Sequence, residues 1–201
     1  HIGDLLIRGR KLFYKKEGKE ILVKRIYNRV IFDELLNRKD LKMDFHLTED
    51  VEVEWAGHPN WFFRISKYTM PFLNCSAVPE SRFLSDIATI PHDLENYVLK
   101  PLFSFSGSGV IFNVRKEDIA AIPLHERSSY MLQRKVHYEP VIQSPDGLVK
   151  TEIRLLYLWE PELKRPQLIT NLARLSRGDI IGVKYNKDKT WVGGSVCFFE
   201  K

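Results

Sequence analysis

The stretch "VLKPLFSFSGSGVIF", residues 98–112, constrains the fold more than any other part of the sequence. Two short apolar runs flank a loop in which serine and glycine alternate, and such runs between turn residues are typical of β-strands. The first run ends at Lys100-Pro101, where the proline ring fixes the direction of the backbone. The stretch therefore predicts two strands joined by a loop, with a single lysine at the end of the first strand.

The rest of the chain predicts further short strands and short helices. Turn residues at Glu17-Gly18, at residues 144–147 and near Asn186 separate the segments, and prolines end the helical ones. We therefore predict an α+β fold with mainly antiparallel pairing. The predicted strands are "KLFYKKEGKEILVKRIYNRVIF" (as a pair), "DVEVEWAG", "YVLKP", "GVIFNV", "YMLQRKVHYEPVI", "VKTEIRLLYLW" and parts of the tail "GDIIGVKYNKDKTWVGGSVCFF". The predicted helices are "DELLNRKDL" (capped by Asp33), "HPNWFFRISKYTMPFL", "ESRFLSDIA" and "KEDIAAI".

The composition excludes several classes of protein. Of the 201 residues, 44% are hydrophobic and 28% are charged, which is ordinary for a globular chain. No apolar run approaches the roughly 20 residues of a membrane helix, and the charged start lacks a signal-peptide core, so we expect a cytoplasmic protein without a membrane partner. Two cysteines in unrelated contexts and six scattered histidines predict neither a disulfide nor a zinc site. Because the chain begins with His1, we expect it to be a piece of a longer protein.

The positive charge of the chain is concentrated near its start. The net charge is +5, and residues 1–42 hold 12 lysines and arginines against six aspartates and glutamates. Such a region either contacts nucleic acid or another polyanion, or is a solvated face. Tyr14 and Tyr27 lie among the basic residues, as in base-stacking surfaces, but their alternation with Val and Ile favours packing. We therefore keep polyanion binding as an alternative and do not expect nucleic acid as the main partner.

The Ser/Gly loop after Lys100 has two interpretations. Glycines let a ligand approach the main chain, exposed N–H groups suit phosphate oxygens, and a lysine adds a positive charge. Alternatively, this is a plain hairpin loop whose lysine extends to water. The motifs GxxxxGK[ST] and GxGxxG are absent, and no HRD or DFG follows. A phosphate-binding loop predicts that bulk at Gly109 weakens ligand binding more than folding.

Two later stretches favour the phosphate interpretation. Alternation in "VKTEIRLLYLWE" places Lys150, Glu152 and Arg154 on one face, as in a strand that lines a polar cleft. The opposite face, which we expect to pack in the core, carries Val149, Thr151, Ile153, Leu155, Tyr157 and Trp159. The segment "TNLARLSRGD" brings an asparagine and two arginines close together, which suits Mg²⁺ and polyphosphate. An ordinary polar strand with surface arginines is the alternative.

The order of these stretches resembles the ATP-grasp family. The matching pieces are "VLKP", "SFSGSGV", "LQRKV", "EIRLL" and "TNLARLSRG", over residues 96–182. Upstream, "ILVKRIYNRVIFDEL" is similar to a strand of the circularly permuted branch, which includes glutathionylspermidine synthetase-like proteins. The acidic metal-binding pair of the family is not found downstream of Asn171. In permuted relatives that pair lies upstream of the similar strand, which here would place it before His1.

The resemblance implies an ATP-grasp-like fold of antiparallel sheets with flanking helices in two lobes. Residues 1–95 would form the N-terminal α+β part, and residues 96–201 the nucleotide-binding lobes. The implied ligands are ATP and Mg²⁺, and the implied reaction is carboxylate–amine ligation through an acylphosphate. A degenerate, non-catalytic lobe is the alternative.

The resemblance also assigns roles to individual residues. Lys100 would bind the α- and β-phosphates. Arg25 and Arg29 would bind an acidic substrate or phosphate, or are ordinary surface charges. The implied β/γ-phosphate loop comprises Ser106, Gly107, Ser108 and Gly109, and the adenine-binding segment comprises Gln133, Arg134, Lys135 and Val136, with Glu139 on the ribose. The implied catalytic residues are Arg154, Arg174 and Arg177, and the implied Mg²⁺ ligands are Asn171 and Glu152.

Overall fold

The computed structural model describes residues 1–105, 107–178, 181–182 and 185–198. The chain divides into two compact units, residues 1–135 and residues 136–201. Their described parts combine several antiparallel sheets with a few short helices, which confirms the predicted α+β class. In the described residues, the helices are too short and too polar to cross a membrane.

The first unit contains small sheets and short helices. Its strands are β1 (Leu5–Arg8), β2 (Lys11–Lys16), β3 (Lys19–Leu22), β4 (Arg25–Tyr27), β5 (Glu54–Ala56), β6 (Ser81–Phe83), β7 (Tyr97–Pro101) and β8 (Tyr130–Arg134). Its α-helices are α1 (Phe32–Asn37), α2 (Trp61–Arg64) and α3 (Lys116–Ala120), and its 3₁₀ segments are Ile2–Asp4, Lys67–Phe72, Leu84–Asp86, Leu94–Asn96 and Leu124–Ser129. The sheets have the orders β1-β2-β3, β4-β5 and β6-β8-β7, and the pairing is antiparallel except between β4 and β5.

The second unit is one antiparallel sheet in its described part. Its strands are β9 (Ile142–Ser144), β10 (Gly147–Leu158), β11 (Gln167–Ser176) and β12 (Gly193–Ser195), in the order β12-β11-β10-β9. The outer strands pair with only three residues each of the central hairpin, so the distal half of β10 and β11 is a two-stranded ribbon.

Two apolar clusters form the core of the first unit. One surrounds Leu12 of β2 and Phe45, which are both fully buried. The other contains Leu84, Leu94, Leu99, Val114, Ile119 and Leu132. Leu99 in β7 and Leu132 in β8 are directly paired, and directly paired residues of antiparallel strands point to the same face. The pair therefore fixes which side chains of the β6-β8-β7 sheet point away from this core.

Two of the three predicted turns are confirmed as hairpin turns. Glu17 and Gly18 have φ angles of +53° and +78°, the positive values that a two-residue hairpin loop between twisted strands requires. The turn at residues 144–147 joins β9 to β10, and the Ser144 hydroxyl donates to the Gly147 carbonyl across it. Local turn chemistry was therefore a reliable guide to these connections.

Three predictions about local elements are wrong. The segment "ESRFLSDIA" begins with strand β6 instead of a helix, because Ser81–Phe83 pairs with β8. The N-cap of α1 is Ile31, which makes no side-chain cap, and Asp33 is the second helical residue. The run "GVIFNV" pairs with β7 through a single bridge, between Leu99 and Ile111, since β8 is the strand that pairs along the length of β7.

The predicted core face of β10 is also wrong. Val149 is buried, but the side chains of Ile153, Leu155, Tyr157 and Trp159 are 45–66% exposed. Beyond Val149, β10 pairs with β11 alone. A two-stranded ribbon is too narrow to bury one of its faces by itself, so these side chains stay exposed. The alternation of apolar and polar residues identified the strand, but it did not show whether another element packs on the apolar face.

We predict that the core around β7 and β8 dominates the stability of the first unit. Leu132→Ala should lower the free energy of unfolding by about 2–5 kcal/mol, because Leu132 is 2% exposed and truncation leaves a cavity. Leu124→Ala, at a site 79% exposed, is the matched control and should change it by less than about 0.5 kcal/mol. Urea denaturation measures both, and equal effects of the two substitutions would contradict the described core.

Candidate functional site

Lys100 lies at the centre of the candidate site, in a row of polar side chains that crosses the β6-β8-β7 sheet. Its Nζ donates to Oε1 of Gln133, and Nε2 of Gln133 donates to Oγ of Ser81 at 2.8 Å. The Ser81 hydroxyl in turn donates to the Pro79 carbonyl at 2.9 Å. We call Lys100, Gln133 and Ser81 the polar row. Its three side chains are joined by hydrogen bonds across three strands, so Lys100 is held in one position.

Strand register explains why the row forms. Gln133 is paired directly with Val98 on one side and with Ser81 on the other, and Lys100 follows Val98 by two residues. Side chains two residues apart on a strand share a face, so the row lies opposite the Leu99–Leu132 core pair. The sheet thus carries the Leu99–Leu132 layer on one face and, on the other, the polar row beside the buried Val98 and Met131.

The ammonium group of Lys100 is half-buried and faces a neutral partner. Within the described residues, no carboxylate oxygen lies within 4.0 Å of its Nζ. Burial lowers the pKa of Lys100, because the charged form loses contact with water. An ammonium that has only an amide oxygen as partner retains capacity for an anionic ligand.

The loop after Lys100 is held by a second lysine, which begins the 3₁₀ segment Lys67–Phe72. Nζ of Lys67 donates to the carbonyl of Ser104 at 2.8 Å and to its hydroxyl at 2.7 Å. Leu102 is buried, and its N–H donates to the Ser129 carbonyl at 2.9 Å. Lys67 was not predicted, since it lies 37 residues before Ser104 and no local pattern marks it. Two ammonium groups therefore adjoin the beginning of this loop.

Aromatic rings fix the first half of the same loop. Phe105 stacks on Phe62 of α2 with ring centroids 4.6 Å apart, and Phe103 packs edge-on against Phe63 at 5.3 Å. Tyr68, next to Lys67, packs against Phe83 of β6 at 5.2 Å. The loop is therefore anchored by side chains that the Ser/Gly pattern did not reveal.

The glycines of the loop have a role in the fold itself. Gly107 and Gly109 have φ angles of +75° and +68°, which disfavour other residues. A Cβ at position 109 would lie 2.8 Å from Cγ of Pro101. Bulk at Gly109 is therefore expected to destabilise the unliganded chain, contrary to the sequence expectation. Ser108 donates its N–H to the Phe105 carbonyl, and Ser106 lies outside the described residues.

The predicted adenine segment is divided between the two units. The N–H groups of Arg134 and Lys135 already donate to the carbonyls of Glu80 and Asn96, both at 2.8 Å. Gln133 acts through its side chain, which holds Lys100, and this contact was not foreseen. Val136 and Glu139 are exposed residues of the second unit. Within this segment, the structure brings only Gln133 into contact with Lys100.

Glu152, Arg154 and Arg174 form a charged cluster on one face of β10 and β11, and the sequence predicted the shared face of Glu152 and Arg154. Oε1 of Glu152 accepts hydrogen bonds from Nε of Arg154 at 2.8 Å and from Nη1 of Arg174 at 3.0 Å. Burial alone would raise the pKa of Glu152, but the hydrogen bonds and charges of the two arginines outweigh it and hold the pKa below its usual range. Both guanidinium groups therefore already have an anionic partner.

The structure does not bring the two predicted Mg²⁺ ligands together. Glu152 is paired directly with Arg174, whereas Asn171 is paired with Leu155, so their side chains lie on opposite faces of the hairpin. The Asn171 amide is engaged with the backbone of Cys197, as donor at 2.9 Å and acceptor at 2.6 Å. Among the described residues, no group of three or more His, Cys, Asp or Glu side chains could hold a metal ion.

Arg177, the remaining predicted catalytic residue, makes contacts within a turn of the second unit. It donates to the Asp146 carbonyl and, at 3.2 Å, to Thr190 Oγ1. Its backbone N–H donates to Oδ1 of Asn186 at 2.9 Å, a side chain that also accepts the N–H of Gly178 at 2.9 Å. These contacts join the end of β11 to the turn at residues 144–147 and to residues 186–190. They give Arg177 a structural role that requires no ligand.

No protein-family model matches the sequence, and no curated protein matches it. The resemblance to the ATP-grasp family therefore rests on the motifs quoted above. Of these motifs, the lysine at the strand end and its adjoining loop have the most distinctive geometry.

We predict that the charge of Lys100 makes stability depend on pH in a defined direction. Its pKa in the folded chain lies below the value of about 10.4 for an exposed lysine, so between the two values the unfolded chain binds more protons. Stability contributed by this group therefore rises with pH across that window. Relative to Lys100→Met, the wild-type chain should gain free energy of unfolding as the pH rises toward about 10.4.

Urea denaturation across this pH range tests the prediction. The matched control is Lys116→Met, at an exposed lysine at the start of α3. A difference between wild type and Lys100→Met that stays constant with pH would contradict a desolvated Lys100.

Proposed function

We propose that this chain binds ATP at Lys100 and the loop that follows it, and that it is part of an ATP-grasp-type carboxylate–amine ligase. The observation that carries the proposal is the half-buried Lys100 ammonium, whose described partner is the neutral amide of Gln133. Burial of such a charge costs stability unless an anion compensates it. A phosphate is an anion of suitable charge and hydrogen-bonding capacity.

The second support is the arrangement around the loop. Lys67 is bonded to Ser104, and Lys100 precedes the loop by two residues, so both charges adjoin its first half. On the other half, Gly107 carries no side chain, and the side-chain position of Gly109 is occupied by Pro101. A polyphosphate lying along this loop would receive charge-assisted hydrogen bonds, each worth about 1.5–3 kcal/mol.

In the proposed reaction, a carboxylate oxygen attacks the γ-phosphorus of ATP and ADP leaves. An amine then attacks the acyl carbon, phosphate leaves, and the amine loses a proton to give the amide. The protein would align the phosphates and neutralise their charge. Glu152 and Asn171 lie on opposite faces of the hairpin and do not fit a shared Mg²⁺, so the proposal assigns the chain no metal ligand.

The alternative of a polyanion-binding module has less support. Several basic residues of the first 42 are paired with carboxylates: Arg8 with Glu20 and Asp44, Arg10 with Asp50 and Glu52, Arg25 with Glu54, and Arg38 with Asp40. These acids neutralise part of the positive excess that the sequence shows near its start. A phosphate backbone would have to compete with these pairs.

Isothermal titration calorimetry of residues 1–201 with ATP tests the proposed function. Lys100→Met should weaken binding about tenfold to a hundredfold, because one charge-assisted contact is lost. Lys116→Met is the matched control and should bind ATP as the wild type does. Equal affinity of wild type and Lys100→Met, or no ATP binding by the wild type, would contradict the proposal. Salt-dependent binding of an oligonucleotide by a chain that does not bind ATP would favour the alternative.

A further inference from the structure

A second candidate site lies in the first unit, in a cleft of about 880 Å³ between β4, α1 and residues 41–47. Its walls are mainly apolar, with Ile26, Leu35 and Phe45 among the lining side chains. Small-molecule sites typically occupy roughly 300–1,000 Å³ and combine apolar walls with a few polar groups. The cleft is therefore large enough for a small organic molecule.

Three arginines line this cleft, and they differ in their partners. Nη2 of Arg25 lies 2.7 Å from both carboxylate oxygens of Glu54, and Arg38 makes two hydrogen bonds of 2.8 Å to Asp40. Arg29 has no carboxylate oxygen within 4.0 Å in the part of the chain that the structure describes. The charge of Arg29 is thus the uncompensated one of the three.

Local structure holds Arg29 at the cleft. The N–H of Asn28 donates to the Ala56 carbonyl at 3.2 Å, and its Oδ1 accepts the N–H of Val30 at 3.1 Å. The Arg29 guanidinium lies 5.8 Å from the centroid of the Tyr27 ring. The backbone on both sides of Arg29 is therefore fixed, and its exposed guanidinium lies beside the exposed Tyr27 ring.

We infer that this cleft binds a small organic anion with an apolar body. The anionic group, a carboxylate or a phosphate, pairs with Arg29, whose planar guanidinium donates two parallel hydrogen bonds to either group. The apolar body packs against Ile26, Leu35 and Phe45. Glu34 also lines the cleft and disfavours a second negative charge on the ligand. The inference does not depend on ATP binding at Lys100.

Three eight-carbon probes test this inference: octanoate, octyl phosphate and the neutral 1-octanol. Binding is followed on residues 1–201 by the backbone amide signals in ¹H–¹⁵N NMR spectra, without ATP. At least one anionic probe should bind with shifts centred on Arg29, Leu35 and Leu41, and 1-octanol should bind more weakly. The stronger of the two anions identifies the group that the site recognises.

Substitutions distinguish specific binding at Arg29 from non-specific attraction of an anion to the positively charged chain. Arg29→Gln should weaken binding of the preferred anion about tenfold to a hundredfold, and Arg29→Lys should restore part of it. The matched control is Arg165→Gln, at an exposed arginine of the second unit, which should leave binding unchanged. Saturating ATP should not displace the probe.

Four results would overturn the inference. They are failure of both anions to bind, unchanged affinity in Arg29→Gln, equal binding of 1-octanol, and displacement by ATP. The first three concern the cleft alone. Displacement would show that both ligands share one site and would leave ATP binding itself intact.

Discussion

The pairing of β7 with β8 is the interaction on which the first unit and its candidate site depend. It places Leu99 against Leu132 in the core and puts Lys100 and Gln133 on the opposite face. A shift of one residue in this register would move the lysine to the face of the apolar cluster and the leucines to the opposite face. The apolar core therefore determines where the ammonium group lies, and the same register brings Ser81 of β6 to complete the polar row.

Much of the fold could be predicted where local chemistry decides it. The Glu17-Gly18 turn, the strand "YVLKP" and the helix in "KEDIAAI" follow from residue patterns that lie within a few positions. The prediction for "ESRFLSDIA" failed because Ser81–Phe83 is drawn into a sheet by β8, some 50 residues later. The exposure of Ile153 and Tyr157 was missed because alternation predicts a strand but does not show whether another element packs on its apolar face.

The candidate site shows the same division between local and distant information. The sequence marks Lys100 and the glycines after it, because their spacing is local. It could not reveal the contact of Lys100 with Gln133, that of Lys67 with Ser104, or the position of Arg29 in a cleft, since these depend on tertiary structure. An amide side chain such as Asn171 suits a metal ion and a backbone equally well, and only the structure shows that it binds Cys197.

The central claim is that the half-buried Lys100 ammonium receives the phosphates of a nucleotide. The most direct measurement is an NMR titration of the Lys100 side chain, through its ¹³Cε signal, in the absence and presence of ATP. The account predicts a pKa below about 10.4 in the free chain and a higher pKa with ATP, because nearby negative charge favours the protonated form. A pKa of Lys100 that is the same with and without saturating ATP would contradict the account.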